Sequence, residues 1–165
     1  MKEYDMQCII YDMLLVRPDI DALEREVNFG SYYADIAYIT HGQLYALKLK
    51  LSWCHRAIEQ AERYVLYGAN RSAVVTRRQR IPKAHMKDFE EHGIGLGFFR
   101  EPEYTQTTIG CIINSRYARF IFPIEWIVMP KLRPNNEYTE VVKQQIEFTF
   151  ESSRQLWLTR IAARE

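Results

Sequence analysis

Asp35, Lys48 and Lys50 are the residues whose types and spacing can do chemistry. Lys48 and Lys50 stand two apart in Leu44-Tyr45-Ala46-Leu47-Lys48-Leu49-Lys50, a run that reads as a β-strand. Side chains alternate along a strand, so both amines point to one face while Leu47, Leu49 and Leu51 point to the other. Asp35 lies in a second such run, Tyr33-Ala34-Asp35-Ile36-Ala37-Tyr38-Ile39, and His41-Gly42 between the two is a turn signal. The two runs form a β-hairpin, in which a cross-strand neighbour brings the Asp35 carboxylate towards the two amines. In so apolar a segment these charges must compensate one another, because an uncompensated buried charge is costly. The three sum to +1, a balance that attracts phosphate and repels a divalent cation.

Two further groups belong with them. Gln60 and Tyr64 are one turn apart on the helix expected after the hairpin, and so share a face. They serve either as a polar-capped core contact or as groups that face the hairpin. Arg77, Arg78, Arg80, Lys83 and Lys87 form the densest basic stretch. Such a stretch is either a solvated face or a set of phosphate contacts, each adding salt-dependent affinity. The four histidines, His41, His55, His85 and His92, lack ligand spacing, so a histidine metal site is not expected. Ser52-x-x-His55 has no third member for nucleophilic catalysis.

The elements that must position these groups follow from periodicity and punctuation. Met6, Ile9, Ile10, Met13 and Leu14 recur at helical spacing over residues 3–16, closed by Pro18. Ala22 to Phe29 reads as a strand with Glu24 and Glu26 on alternate positions, ended by Gly30. After the hairpin come a helix over 53–67 stopped by Gly68, a strand at Ser72–Thr76, and a helix from Pro82 to His92 stopped by Gly93. A short strand follows at Ile94–Phe99. Further strands are expected around Thr107-Thr108-Ile109 and Phe120-Ile121-Phe122, then a loop over Pro130–Asn136. A long final helix begins near Glu137, and its Phe148, Phe150 and Trp157 suggest an exposed stripe for pairing as a homodimer. The order predicts an α/β fold, a mixed β-sheet flanked by helices.

Composition bounds the rest. At 165 residues one domain with a real core is expected, with residues 1–99 as the core and 100–165 as a strand and long-helix extension of it. A net charge of +1 means that any nucleic-acid binding comes from a local patch. Cys8, Cys54 and Cys111 are far apart and odd in number, which reads as reduced thiols in an intracellular protein. Met1-Lys2-Glu3-Tyr4-Asp5 carries acids where a secretory signal needs bases. The apolar stretch Phe120 to Met129 is too short to span a membrane. A soluble, cytoplasmic protein is expected, without a membrane partner.

The element order, together with Asp35 in the second strand, Lys50 in the third and Gln60-Ala61-Glu62-Arg63-Tyr64 on the next helix, resembles the PD-(D/E)XK nuclease superfamily. This is the restriction-endonuclease-like fold, and the likeness covers roughly the first 76 residues. It implies a restriction-endonuclease-like core with a C-terminal helical extension, nucleic acid (DNA in the first instance) as partner, and Mg²⁺-dependent phosphodiester hydrolysis. In that scheme Asp35 is a metal ligand and Lys50 orients the attacking water, while Gln60, Tyr64, Arg77, Arg78, Arg80 and Lys83 contact nucleic acid. One position departs from the family: Lys48 stands where the acid of the acid-x-lysine triplet belongs. Exchanging −1 for +1 about 5 Å from a divalent ion changes the interaction by on the order of 10 kcal/mol at an effective dielectric near 20. Magnesium chemistry is therefore compromised at position 48, unless Glu59 or Glu62 supplies the second acid. Three readings stay open: a metal-dependent deoxyribonuclease, a catalytically inactive relative that recognises DNA, and a protein-interaction module.

Overall fold

The computed structural model describes residues 1–52, 55–101, 104–107, 110–113 and 121–162, with the backbone alone for 104–107, 110–113, 157, 158 and 160–162. It runs α1 (Glu3–Leu15), β1 (Ala22–Phe29), β2 (Tyr32–Thr40), β3 (Gln43–Lys50), α2 (Arg56–Leu66) and β4 (Arg71–Arg77). It continues as α3 (Lys83–His92), β5 (Gly95–Phe99), β6 (Tyr104–Thr107), β7 (Gly110–Ile113), β8 (Ile124–Val128) and α4 (Thr139–Ala162). Six strands make one mixed sheet in the order β1-β2-β3-β4-β5-β8, and β6 and β7 form a separate antiparallel pair. The expected α/β class with a mixed sheet is the architecture found.

The central hairpin forms because its turn and its two faces agree. His41 and Gly42 both have positive φ, 50° and 73°, the backbone that a tight two-residue hairpin turn requires. Tyr38 then falls opposite Tyr45, and their rings stack with centroids 4.7 Å apart. β3 is paired on both sides, antiparallel to β2 and parallel to β4, and its residues 44–47 and 49 are all buried. Met6, Ile10 and Leu14 of α1 cover one face of the sheet together with Leu47 and Leu49. α2, α3 and α4 cover the other face: Ala57, Ile58 and Ala61 pack on Val74 and Phe89, and Val142 and Ile146 pack with Tyr64 and Phe29.

The boundaries depart from expectation in three places. α2 begins at Arg56, with residues 53 and 54 outside the described part. Of the expected strand Phe120-Ile121-Phe122, the described Ile121 and Phe122 are not in a strand and Phe120 lies outside the description. The strand starts after Pro123, which lacks an amide donor and therefore suits the position before a strand. β8 pairs antiparallel with β5, where Gly97 leaves room for Ile124 and Trp126 to lie over the backbone. Thr108 and Ile109 also lie outside the description, between β6 and β7.

Asn70, 3% exposed, ties this frame together. Its Oδ1 accepts the Leu44 amide at 2.9 Å, and its Nδ2 donates to the Arg133 carbonyl at 3.0 Å and to Asn135 Oδ1 at 2.8 Å. The start of β3 is thus pinned to the 130–136 loop that delivers α4. Asn70→Ala leaves an amide and a carbonyl unpaired in the interior, a loss of about 3 kcal/mol. Thermal unfolding followed by circular dichroism should show a fall in Tm of roughly 10 °C; an unchanged Tm would mean that the polar bridge does not hold the loop.

Candidate functional site

The β2–β3 ladder is registered from Thr40↔Gln43 to Ile36↔Leu47 and stops there. One step further, in the same register, Asp35 stands opposite Lys48. The strands part at this point, and the Asp35 side chain takes over from the backbone: its Oδ2 accepts the Leu49 amide at 2.7 Å. The Lys48 Nζ lies 3.6 Å from the same oxygen, with both side chains about four-fifths buried (18% and 21% exposed). An opening in the ladder would leave a strand amide unsatisfied, and the carboxylate prevents that.

On the other side of β2, Arg25↔Ile36 and Val27↔Ala34 bracket Glu26 and Asp35, which skip their own pairing. Glu26 has φ of 51°, in the left-handed region that non-glycine residues enter at a cost of order 1–3 kcal/mol. Gln7, a 6%-exposed residue of α1, stabilises the irregularity. Its Nε2 donates to Glu26 Oε1 at 2.8 Å and to the Asp35 carbonyl at 2.7 Å. From the opposite face the Tyr64 hydroxyl donates to the Tyr33 carbonyl at 2.7 Å. Burial, then the charges of Asp35 and Glu26, raise the Tyr64 pKa, so the phenol remains a donor at neutral pH.

The sequence-predicted residues therefore divide. Asp35, Lys48 and Tyr64 come together around the parted strands. Lys50 lies two residues on, beside Thr76 in the β3–β4 register. Gln60 sits a turn before Tyr64, with its Oε1 buried and unpartnered among the described residues. The acid that bears on Asp35 is Glu26. Glu59 is exposed on α2, and Glu62 pairs instead with His92 Nδ1. Glu26 and Gln7 were missed as site residues. A glutamine among the apolar positions of the first helix was a visible signal for Gln7, whereas nothing local marks Glu26 as left-handed.

These residues do not fit Mg²⁺. The ion seeks a near-octahedral set of oxygens at close range, whereas here one Asp35 oxygen already holds a strand amide and an ammonium. Among the described residues no group of three or more His, Cys, Asp or Glu is arranged to hold a metal.

The same end of the sheet carries a cleft of about 730 Å³ at the C-terminal ends of β4 and β5, lined by Arg77, Arg78, Gln79, Arg100, Glu101 and Glu125. Open α/β sheets bind ligands at the carboxyl ends of their parallel strands. Leu51 and Phe99, which belong to the core on the α1 side, also line the cleft. Arg77 lies 3.6 Å from Glu101, Arg78 pairs with Glu125, and Arg100 makes no ion pair among the described residues. Arg80 and Lys83 are exposed beyond it.

The chain matches no family model, and neither a curated protein nor a solved structure matches it. No helix among the described residues is long and apolar enough to cross a membrane.

Asp35 offers a direct test of this electrostatic arrangement. Burial, the leading cause, raises its pKa above 3.8, outweighing the Leu49 amide and Lys48, which act the other way. The folded state then binds the proton more tightly than the unfolded state, so this group favours folding at low pH. That contribution is lost as pH rises from the unfolded pKa through the raised one. Asp35→Asn keeps an acceptor for Leu49 and does not titrate. Its stability relative to the unchanged protein should rise as pH increases above about 4 in denaturant titrations; a flat difference would show that burial does not dominate at Asp35.

Proposed function

We propose that this chain is a DNA-binding domain of the PD-(D/E)XK nuclease kind that holds the phosphate backbone without hydrolysing it. The observation that carries the reading is the Lys48 ammonium beside the Asp35 carboxylate. A side-chain cation stands where the family's scheme needs an acid, and it compensates Asp35 internally. The element order through β4, the parting of β2 from β3 and the position of Tyr64 support the restriction-endonuclease-like assignment. Binding falls to Lys50 and to the arginines of the cleft. Phosphate oxygens compete there with Glu101 and Glu125 for Arg77 and Arg78, and each phosphate contact made adds salt-dependent affinity. A second reading, a protein-interaction module, is favoured by one observation, the exposed apolar side of α4.

Replacing Arg77, Arg78 and Arg80 together with Ala should weaken DNA binding and reduce the slope of log affinity against log salt by up to about three units. Fluorescence anisotropy over a salt series measures both; unchanged affinity at low salt would leave the patch an ordinary solvated face.

Lys48→Glu changes the Asp35, Lys48 and Lys50 cluster from +1 to −1. It should create Mn²⁺ or Mg²⁺ binding measurable by calorimetry, and divalent-dependent DNA cleavage. Asp35→Ala in that background should abolish both, whereas Lys50→Ala should spare metal binding and lose turnover. Cleavage by the unmodified protein would show that Lys48 does not silence the site. A folded Lys48→Glu protein that neither binds metal nor cleaves would remove the nuclease-like reading of the hairpin.

A further inference from the structure

α4 has two apolar sides, and the fold uses one. Val142 and Ile146 pack against β1 and β2, with Phe150 partly buried beside them. The expected stripe of Phe148, Phe150 and Trp157 is thus not the exposed one: Phe150 belongs to the core side, and the Trp157 side chain lies outside the described part. The outward side carries Val141, Gln145, Phe148, Ser152 and Gln155, spaced alternately by four and three residues, with Leu156 adjoining. That is the seam spacing of a two-helix coiled coil. Phe148 is 76% exposed, Val141 64% and Leu156 55%. Residues 151–156 are exposed without exception, so the second half of the helix extends free of the sheet.

We propose that two copies of this chain pair through α4, antiparallel, about a two-fold axis beside Phe148 and Thr149. The seam is self-complementary in that direction. Val141 faces Leu156 of the second copy, Gln145 faces Ser152, and Phe148 meets its own equivalent across the axis. Apolar side chains thus meet apolar ones, and an amide meets a hydroxyl it can bond. The first half of the helix carries Glu140, Lys143 and Glu147, a net charge of −1, and the second half carries Glu151, Arg154 and Arg160, a net charge of +1. Antiparallel packing sets the net-negative half against the net-positive half, whereas parallel packing aligns like with like. The helix, about 36 Å long, offers four turns to the seam. Because its inner side is already docked on the sheet, the helix needs no rearrangement to receive a partner.

Sedimentation equilibrium of the full chain should show a monomer–dimer equilibrium with Kd on the order of micromolar. Phe148→Glu should raise that Kd by more than about tenfold while leaving the far-ultraviolet spectrum unchanged, because the residue touches no core. Leu156→Glu provides the same test should the first variant not fold. Direction is read by cross-linking with Cys8, Cys54 and Cys111 replaced by Ser. Val141→Cys protein mixed with Leu156→Cys protein should form the mixed disulfide, and Val141→Cys protein alone should not. A chain that stays monomeric at high micromolar concentration, a dimer indifferent to both glutamate variants, or a Val141–Val141 link would each overturn the proposal.

Discussion

Where β2 leaves β3, the amide of Leu49 loses its strand partner, and the Asp35 carboxylate is the acceptor that replaces it. The rest of the site follows from that exchange. A carboxylate so placed is largely removed from water, and its ionised form requires compensation. Lys48 supplies a cation from the adjacent strand, and Gln7 supplies a neutral donor to the neighbouring backbone and to Glu26. Tyr64 closes the arrangement from α2 by holding the Tyr33 carbonyl. Three elements besides the hairpin thus converge on two residues of β2, and the left-handed backbone at Glu26 is tolerated because they do.

The same end of the sheet concentrates positive charge without leaving it free. Arg77 and Arg78 emerge from β4 where the parallel strands end, and each meets a glutamate. An arginine cleft balanced by glutamates differs from a bare basic patch. It holds its shape without a ligand, and freeing its arginines costs only two exposed ion pairs, each worth little in water. This suits a protein whose net charge is only +1, in which any field for a polyanion must be local.

α4 connects the core to what lies outside it. Thr139 anchors its start, with Oγ1 donating to the Gly68 carbonyl at 2.8 Å. Gly68 has φ of 119°, and a Cβ there would come within 2.9 Å of the Thr139 amide nitrogen, so the close approach needs glycine. This contact fixes the roll of the helix about its axis. It thereby decides that Val142 and Ile146 turn inward and Val141 and Phe148 turn outward.

How much of this was legible in the residues depends on the range of the interaction responsible. The hairpin, α1, α2, α3 and the buried β4 and β5 follow from side-chain period and from turn and cap residues, which act within a few positions. The facing of Asp35 and Lys48 follows from the same period once the hairpin is granted. The place where β2 and β3 part does not, nor does the recruitment of Gln7 and Glu26 across 19 residues. Those depend on how α1 packs on the sheet. β8 was hidden because a short apolar run with one glutamate pairs only where Gly97 offers room on a neighbouring strand. The last helix was visible from its apolar residues, but they fall on more than one side, and the anchor at Gly68 selects the side that is buried. Local periodicity thus determined which elements form, and long-range packing decided where the ladder opens, which acid stands beside Asp35, and which apolar side faces out.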